Sequence, residues 1–465
     1  MNESAHPDAT PGYAAARNIA GTLRHAGHQA YLAGGCVRDL LLGLAPKDYD
    51  VATSATPDEV LRLFPDRKAM TVGAHFGVVL IRESDDSSTE VATFRHDGAY
   101  TDGRRPDAVR FATDPKEDVL RRDFTINGML LDTALYDTTG DVASATLDYV
   151  GGRDDLAARL IRAIGDPLQR FTEDKLRMLR AVRFAARLGF AIEPRTAAAI
   201  SQLASQVTVV STERIRDELT LILTEGGARR GFELLDELGL LPHILPEITR
   251  LHGVEQPPEY HPEGDVFLHT MLLLENLPPG ASPTLAWGAL LHDVGKPATF
   301  RAPDPAIPND RIRFNGHVEV GVRIAETLLP RLRLSNEEIA QIVALVKNHM
   351  RFGDVKHMRE STLKRFLRLP RFDEHLALHR MDCLSSHGDL SLYDFSKQRY
   401  EAVPIEEFHP TPLLTGRELI AAGYRPGPKF KRMLEAAEDA QLEGAIHTAA
   451  EALQLVHRRF GNPDN

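Results

Sequence analysis

The rhythm of apolar and polar positions changes near residue 155. Before it, short apolar runs bounded by turn residues predict strands among helices. Residues 14–27 read as a helix, and QAYLAGG (29–35) as a strand that ends in two glycines. CVRDLLLG (36–43) reads as a short helix and DYDVAT (48–53) as a strand. TPDEVLRLF opens a helix with Thr56 as N-cap, Pro57 in the first turn and Glu59 three residues after the cap, a capping-box pattern. GVVLIRE (77–83), TEVATFR (89–95) and AVRFAT (108–113) are rich in β-formers. Residues 14–155 are therefore expected to be mixed α/β around one small sheet. After residue 155 strand signals nearly vanish. TEDKLRMLRAVRFAARLGF (172–190) predicts one long helix with Gly189 at its C-terminal cap. Helical patterns run on to about 245, and GVEQPPEYHPEGD (253–265) is a proline-rich linker. A second helical region follows to about 400, and FHPTPL (408–413) opens a short helical end segment. The expected organisation is a disordered lead-in at 1–13, an α/β domain at 14–155 and a helical region at 156–250. A linker at 251–264, an all-α domain at 265–400 and a helical segment at 401–465 complete it. The fold class is α+β.

Composition narrows the class. The 465 residues are 43% hydrophobic and 26% charged, enough apolar material for real cores and for about three domains of usual size. No run of about 18 apolar residues predicts a membrane span. The start, MNESAHPDATPGYAAAR, lacks the basic and apolar regions of a signal peptide. Two cysteines, Cys36 and Cys383, suggest neither a disulfide framework nor a thiolate metal site, so a reducing, cytoplasmic setting is expected. The net charge of −11 argues against nucleic-acid binding by bulk charge and leaves a local basic patch open.

Chemistry concentrates first in residues 33–53. Asp48 and Asp50 stand two apart on a predicted strand, so both carboxylates face one side. Converging carboxylates repel unless neutralised, and Mg²⁺ does this while keeping positions for substrate phosphates. Read alone, Asp-x-Asp suits a solvated sheet edge as well. Gly34 and Gly35, between strand and helix, can bring backbone N–H groups close to a phosphate, and Arg38 one turn later can add charge-assisted bonds. Together they suit metal-assisted phosphoryl transfer without a Walker A sequence. Glu90 could supply a third carboxylate from a neighbouring strand, or be an edge-strand charge.

Five segments in order then resemble the class II tRNA nucleotidyltransferases, the CCA-adding enzymes, and their bacterial poly(A) polymerase relatives. They are LAGGCVRDLLLG, KDYDVATSATPDEV, EVATFRHDGAYTDGRRPDAVRF, RRDFTINGM and EDKLRMLRAVRFAARLGF, covering most of residues 30–190. The resemblance implies a nucleotidyltransferase head domain, a helical neck, and catalytic Mg²⁺ held by Asp48 and Asp50. It implies triphosphate and nucleotide contacts at Gly34, Gly35 and Arg38. It further implies CTP and ATP as donors and the tRNA 3′ end as acceptor.

In EDKLR, Glu173 precedes Asp174 and Arg177, which stand three apart on the expected helix and so are neighbours on one face. A surface ion pair is the plain reading. The chemical one is that a carboxylate accepts from the exocyclic amine of C or A while a guanidinium donates to the ring nitrogen. Uracil and guanine show the opposite polarity and would be rejected. The family's EDxxR motif reads the incoming base in this way. Arg180 and Arg183, and less clearly Arg187, continue the stripe toward the nucleotide. Arg122 is expected on a phosphate, with Asp123 and Asn127 on the ribose; a salt bridge closing the sheet is the plain alternative. RHDGAYTDGRRPD (95–107) resembles the family's flexible loop, which helps the pocket switch from C to A.

The second helical region carries His292-Asp293 side by side, His269 one helix earlier and Asp382 later, with His317 and His349 between. This resembles the HD metal-dependent phosphohydrolases, and implies a divalent metal held by these six residues, with His261 at the entrance. The other readings are a poly(A) polymerase, a CC-only or A-only enzyme, an HD phosphohydrolase with a binding head, and an alarmone synthetase–hydrolase. VGAHFGVV (72–79) has Ala74 and His75 where such polymerases resemble "GRRF", which favours the tRNA enzyme. The alarmone enzymes carry their HD domain first, the reverse of this order.

Overall fold

The computed structural model describes residues 10–463 except 66, 68, 72–76, 83–87, 99–108, 260, 263, 279, 403 and 405–409. Residues 1–9 of the expected lead-in, most of the 95–107 loop, and Ala74 with His75 lie outside the described residues. The chain divides into two compact units, Met1–Thr249 and Arg250–Asn465.

In the first unit, helix α1 (Pro11–His25) starts three residues before the expected 14, because Thr10 caps it and Pro11 sits at its first position. Its buried face, Tyr13, Ala16, Ile19, Ala20 and Leu23, follows helical spacing and packs over β1 (Ala30–Ala33) and β2 (Asp50–Thr53). Between these strands lies α2 (Gly35–Leu41). Helix α3 (Pro57–Leu63) carries the expected capping box: Thr56 and Glu59 satisfy each other's backbone N–H groups. β3 (Ala69–Thr71), β4 (Val78–Arg82) and β5 (Ser88–Thr93) follow. Among the described residues β6 (Arg95–Asp97) and β7 (Val109–Phe111) pair only with each other. The expectation of one sheet is thereby corrected: AVRFAT forms a separate two-stranded ribbon.

After α4 (Pro115–Leu120) come β8 (Met129–Leu131), α5 (Thr133–Thr139), β9 (Thr146–Asp148), α6 (Gly152–Ala158) and the two-residue β10 (Leu160–Ile161). β8 and β9 complete a seven-stranded sheet of order β3-β4-β5-β2-β1-β8-β9. β2 and β5 run parallel and the other pairs antiparallel. Opposite α1, Ala33, Ala52, Phe94, Val119 and Leu130 form a small core.

The long helix expected at 172–190 is two helices, α7 (Pro167–Glu173) and α8 (Leu176–Leu188). Asp174 breaks it: its backbone is extended (φ −144°, ψ 107°) and its carboxylate caps the Leu176 N–H. Gly189 closes α8 in the left-handed conformation, φ +64°, as expected. β11 (Ala191–Ile192) pairs with β10, and α9 (Pro194–Leu203), α10 (Thr212–Thr224) and α11 (Ala228–Glu237) complete the main helices, with α10 and α11 against α8.

The second unit is helical. It runs through α12 (Val266–Glu275), α13 (Pro283–Leu291), α14 (His317–Arg331), α15 (Asn336–Asn348), α16 (Glu360–Leu367), α17 (Phe372–Leu384) and α18 (Ser391–Ala402). The linker region is closed at its end by Asp265, which caps α12 and accepts from the Gly253 N–H at 2.7 Å. The last helices, Gly416–Ala421, Lys429–Leu442 and Ala449–Phe460, bury their own core around Leu419, Tyr424, Met433 and Val456. No helix among the described residues is long and apolar enough to cross a membrane.

Candidate active site and metal centre

The end of β1 and the start of β2 open on a cavity of about 700 Å³. Gly34, Gly35, Arg38, Asp48, Asp50, Glu90, Arg122, Asp123, Asn127, Asp174, Arg177, Arg180, Arg183 and Arg187 all line it. Of the nucleotide and metal residues expected in the first unit, Glu173 alone is not among the lining residues.

Asp50 is the first residue of β2, opposite Ala33 of β1. Asp48 lies two residues before the strand rather than on it, yet alternation keeps both carboxylates on one side, with Tyr49 buried between them. Burial, then the charges of Glu90 and Asp48, push the Asp50 carboxyl up to about 7 against the pull of Arg122. This negative cluster lacks enough counter-charge, which is the condition a hard divalent cation relieves. Asp48, Asp50 and Glu90 do not converge within 4.8 Å as a set.

Gly34 holds φ +79°, and a Cβ there would stand 3.2 Å from Arg122 Nη1. Arg122 is steered by the buried Asp118, which it meets at 2.9 Å. Arg38 is buried; it donates to Asp39 at 2.7 Å and to Asn127 Oδ1 at 2.7 Å. Asn127 donates on to Asp123 at 3.3 Å, and Asp123 accepts from Arg180 at 2.8 Å. Burial alone would raise the Asp123 carboxyl; the Arg180 guanidinium outweighs it and holds it below the usual range. Arg38, Asn127, Asp123 and Arg180 thus form one polar chain, buried up to Arg180, which is partly exposed.

The base-reading residues are arranged differently from the expected helix pair. Asp174 sits in the break between α7 and α8, and its partner is Arg214 of α10: Nη2 to Oδ2 at 2.7 Å, Nη1 to Oδ1 at 3.2 Å. Arg177 instead donates to Glu173 at 2.9 Å and to the carbonyls of Arg170 and Arg121, both at 3.1 Å. Glu173 acts behind Arg177 and fixes its fork. These bonds leave Arg177 its Nε–H and one Nη2–H open among the described residues. Arg183 is held by Glu218 at 2.8 Å and Glu225 at 2.9 Å, and Arg187 reaches Asp39 at 3.5 Å. Arg214, Glu218 and Glu225 carry no signal in the sequence, although their spacing places them on one side of α10 and its end. Nothing local marks them, because their partners lie 35 to 42 residues away.

In the second unit the six expected ligands converge. His269, His292 and Asp382 form one group within 4.8 Å, and Asp293, His317 and His349 another. His292 Nε2 lies 3.3 Å from His269 Nε2, and His317 Nε2 lies 3.3 Å from His349 Nε2. Asp293 joins the groups, with Oδ2 3.2 Å from His292 and Oδ1 3.7 Å from both His317 and His349. The Nδ1 atoms of His292, His317 and His349 meet the carbonyls of Ala289, Phe314 and Val346 at 2.7–2.9 Å. A carbonyl can only accept, so each Nδ1 carries the proton and each Nε2 lone pair faces the cluster. Burial pushes His349 down to about 4, which keeps its lone pair available at neutral pH. Lys296 meets Asp293 at 2.6 Å. A cavity of about 790 Å³ opens beside the cluster, with His261 in its wall.

Comparison with known proteins follows this division. The family described as "Poly A polymerase head domain" matches residues 30–162. "Probable RNA and SrmB- binding site of polymerase A" matches 189–251, and "tRNA nucleotidyltransferase domain 2 putative" matches 317–456. An A-adding tRNA nucleotidyltransferase of Deinococcus radiodurans is 33% identical over 448 residues, 92% of this chain and 95% of the relative. A CCA-adding enzyme of Oceanobacillus iheyensis is 44% identical over 219 residues, 47% of this chain and 52% of the relative. The chain thus spans about half the length of the first curated relatives it matches. The Bacillus stearothermophilus CCA-adding enzyme in complex with CTP superposes with a TM-score of 0.71 at 27% identity, over 97% of this chain and 98% of that one. The α/β head and the helical region after it together line the cavity, and both share the fold of that CCA-adding enzyme. The chain belongs to the family of tRNA nucleotidyltransferases that includes the CCA-adding enzymes.

Proposed function

We propose that this chain adds C, C and A in turn to the 3′ end of tRNA, using CTP and ATP and releasing pyrophosphate. The observation that carries this reading is the shared cavity: carboxylates at Asp48, Asp50 and Glu90 line the same space as Asp174 and Arg177. Asp48 and Asp50 would hold Mg²⁺, which supplies charge neutralisation and an activated 3′-oxygen. The Gly34 and Gly35 backbone and Arg122 orient the triphosphate. Arg38 positions Asn127, and Asn127 with Asp123 suits the ribose. Asp174 and Arg177 select the base, while Arg180 and Arg183 support the nucleotide from α8. The buried free thiols Cys36 and Cys383 suit a reducing cytoplasm.

The test uses tRNA ending before CCA, after C and after CC, with CTP, ATP or both, followed by sequencing of the 3′ ends. Addition of CCA and then a stop is expected. Asp48→Asn and Asp50→Asn should each abolish transfer while leaving nucleotide binding detectable. The end-to-end match with the A-adding relative supports a second reading, A addition alone, in which only the CC-ending tRNA is extended.

For the second unit we propose an HD-type site in which His269, His292, Asp293, His317, His349 and Asp382 hold divalent metal. The two groups could each hold an ion, and the site would suit hydrolysis of phosphate esters. Metal analysis of the purified protein should find divalent ion that His292→Ala and Asp382→Asn variants lose. Equal metal content in all three would remove this reading.

A further inference from the structure

We infer that Arg214 is a positioning residue for base selection, setting from α10 the orientation and open acceptor of the Asp174 carboxylate. The inference rests on the proposal that Asp174 and Arg177 read the base.

Asp174 lies where the chain between α7 and α8 is extended, so no helix fixes its side chain. What fixes it is a set of three donors. Arg214 Nη1 and the Leu176 N–H fall on Oδ1, at 3.2 and 3.0 Å, and Arg214 Nη2 falls on Oδ2 at 2.7 Å. A carboxylate has about four acceptor positions. Among the described residues three are occupied, and the fourth lies on Oδ2. One acceptor position and no donor is the complement of a single exocyclic amine N–H, as on cytosine or adenine. A carbonyl at that place meets only negative charge.

The geometry separates this pair from an ordinary surface ion pair. Both side chains are mostly buried, at 24% and 16% exposure, and both line the cavity that holds Asp50 and Arg177. The guanidinium engages the carboxylate through two N–H groups, which fixes its plane as a single point charge cannot. Arg214 and Glu218, four residues apart, also share one side of α10, and Glu218 steadies Arg183 and faces Arg180 at 3.8 Å. One helix of the region after the head thus orients side chains on both flanks of the proposed base pocket.

The experiment measures equilibrium binding of CTP, UTP, ATP and GTP with Mg²⁺ and no tRNA, for the full chain and for Arg214→Ala and Arg214→Lys. Single-nucleotide addition gives kcat and KM for each donor. In the wild type CTP and ATP should bind over UTP and GTP. In Arg214→Ala the C-to-U and A-to-G preferences should fall about tenfold or more. KM for the correct donors should rise, while kcat at saturation changes little. Arg214→Lys should lie between, since it restores charge without the fork.

A merely structural role would lower the melting temperature and leave the preference ratios unmoved. Wild-type ratios in either variant that still folds would overturn the inference. So would an equal loss for all four triphosphates, which would make Arg214 a phosphate contact. Should Arg214→Ala fail to fold, the ratios of the lysine variant decide between these outcomes. A wild type that binds all four alike would refute base reading itself, a failure visible before any variant is made.

Discussion

Gly34 shows how one residue's backbone can govern the proposed triphosphate site. At φ +79° and ψ −131° it occupies a region that side chains rarely adopt, and a Cβ there would press on Arg122. Gly34→Ala is expected to lower the stability of the first unit by about 1–3 kcal/mol. It should also raise KM for the triphosphate, because Arg122 must move. Urea unfolding and initial rates check the two effects separately; an alanine variant unchanged in both would show that the glycine is incidental. Gly34, Asp50 and Arg177 could be read from the sequence because each sits in a short motif whose chemistry is local. Arg214 and Glu218 could not, since their meaning lies in partners 40 and 35 residues distant. Arg38 was legible as a cavity residue, but its commitment to Asp39 and Asn127 follows only from packing.

Elements show the same boundary between local and distant causes. The capping box of α3 and the left-handed Gly189 at the end of α8 follow from adjacent residues, and both stand as expected. The break between α7 and α8 did not follow, because Thr172, Glu173, Asp174 and Lys175 include no glycine or proline to mark it. Asp174 prefers to cap Leu176 and to meet α10. The three-residue strands β8 and β9 also leave no trace in the pattern; they are too short for a period to emerge. Packing of α8 on α10 rests partly on buried charge. Glu218 is 6% exposed and holds Arg183, which is 8% exposed. Glu218→Ala would leave that guanidinium with Glu225 alone, and breaking a buried pair costs about 3–5 kcal/mol. A destabilisation near the lower end of this range is expected by chemical denaturation, since one partner remains. A loss under about 1 kcal/mol would mean that water replaces the carboxylate, as at an exposed pair.

At the scale of the whole chain, the two units should respond to acid at different pH, the second unit first. In the second unit His375 and His379 are buried on α17, and burial pushes each ring down to about 4. His379 stacks on Phe352 at 4.2 Å; Asp373 and Arg351 act on His375, and Asp382 and His387 on His379. Each ring is neutral in the fold, while the unfolded chain takes a proton below about 6.5. Stability is therefore complete above that pH and lost as pH falls toward 4, by about 3 kcal/mol per histidine once both states are protonated. In the first unit the sensitive groups are carboxylates. Burial would raise Asp118 and Asp123, but Arg122 and Arg121 on the one and Arg180 on the other hold them below the usual range. Their contribution persists until pH falls below about 4, the ordinary carboxylate value. The chain's single tryptophan, Trp287, is fully buried in α13, which packs against α17, so its fluorescence reports the second unit alone. On acid titration at low ionic strength the Trp287 signal should change between pH 6.5 and 4, while much of the far-ultraviolet helical signal survives until lower pH. His375→Phe with His379→Phe should move the first transition down in pH. A single transition below pH 4, seen together by both probes, would contradict this order and place the acid-labile groups elsewhere.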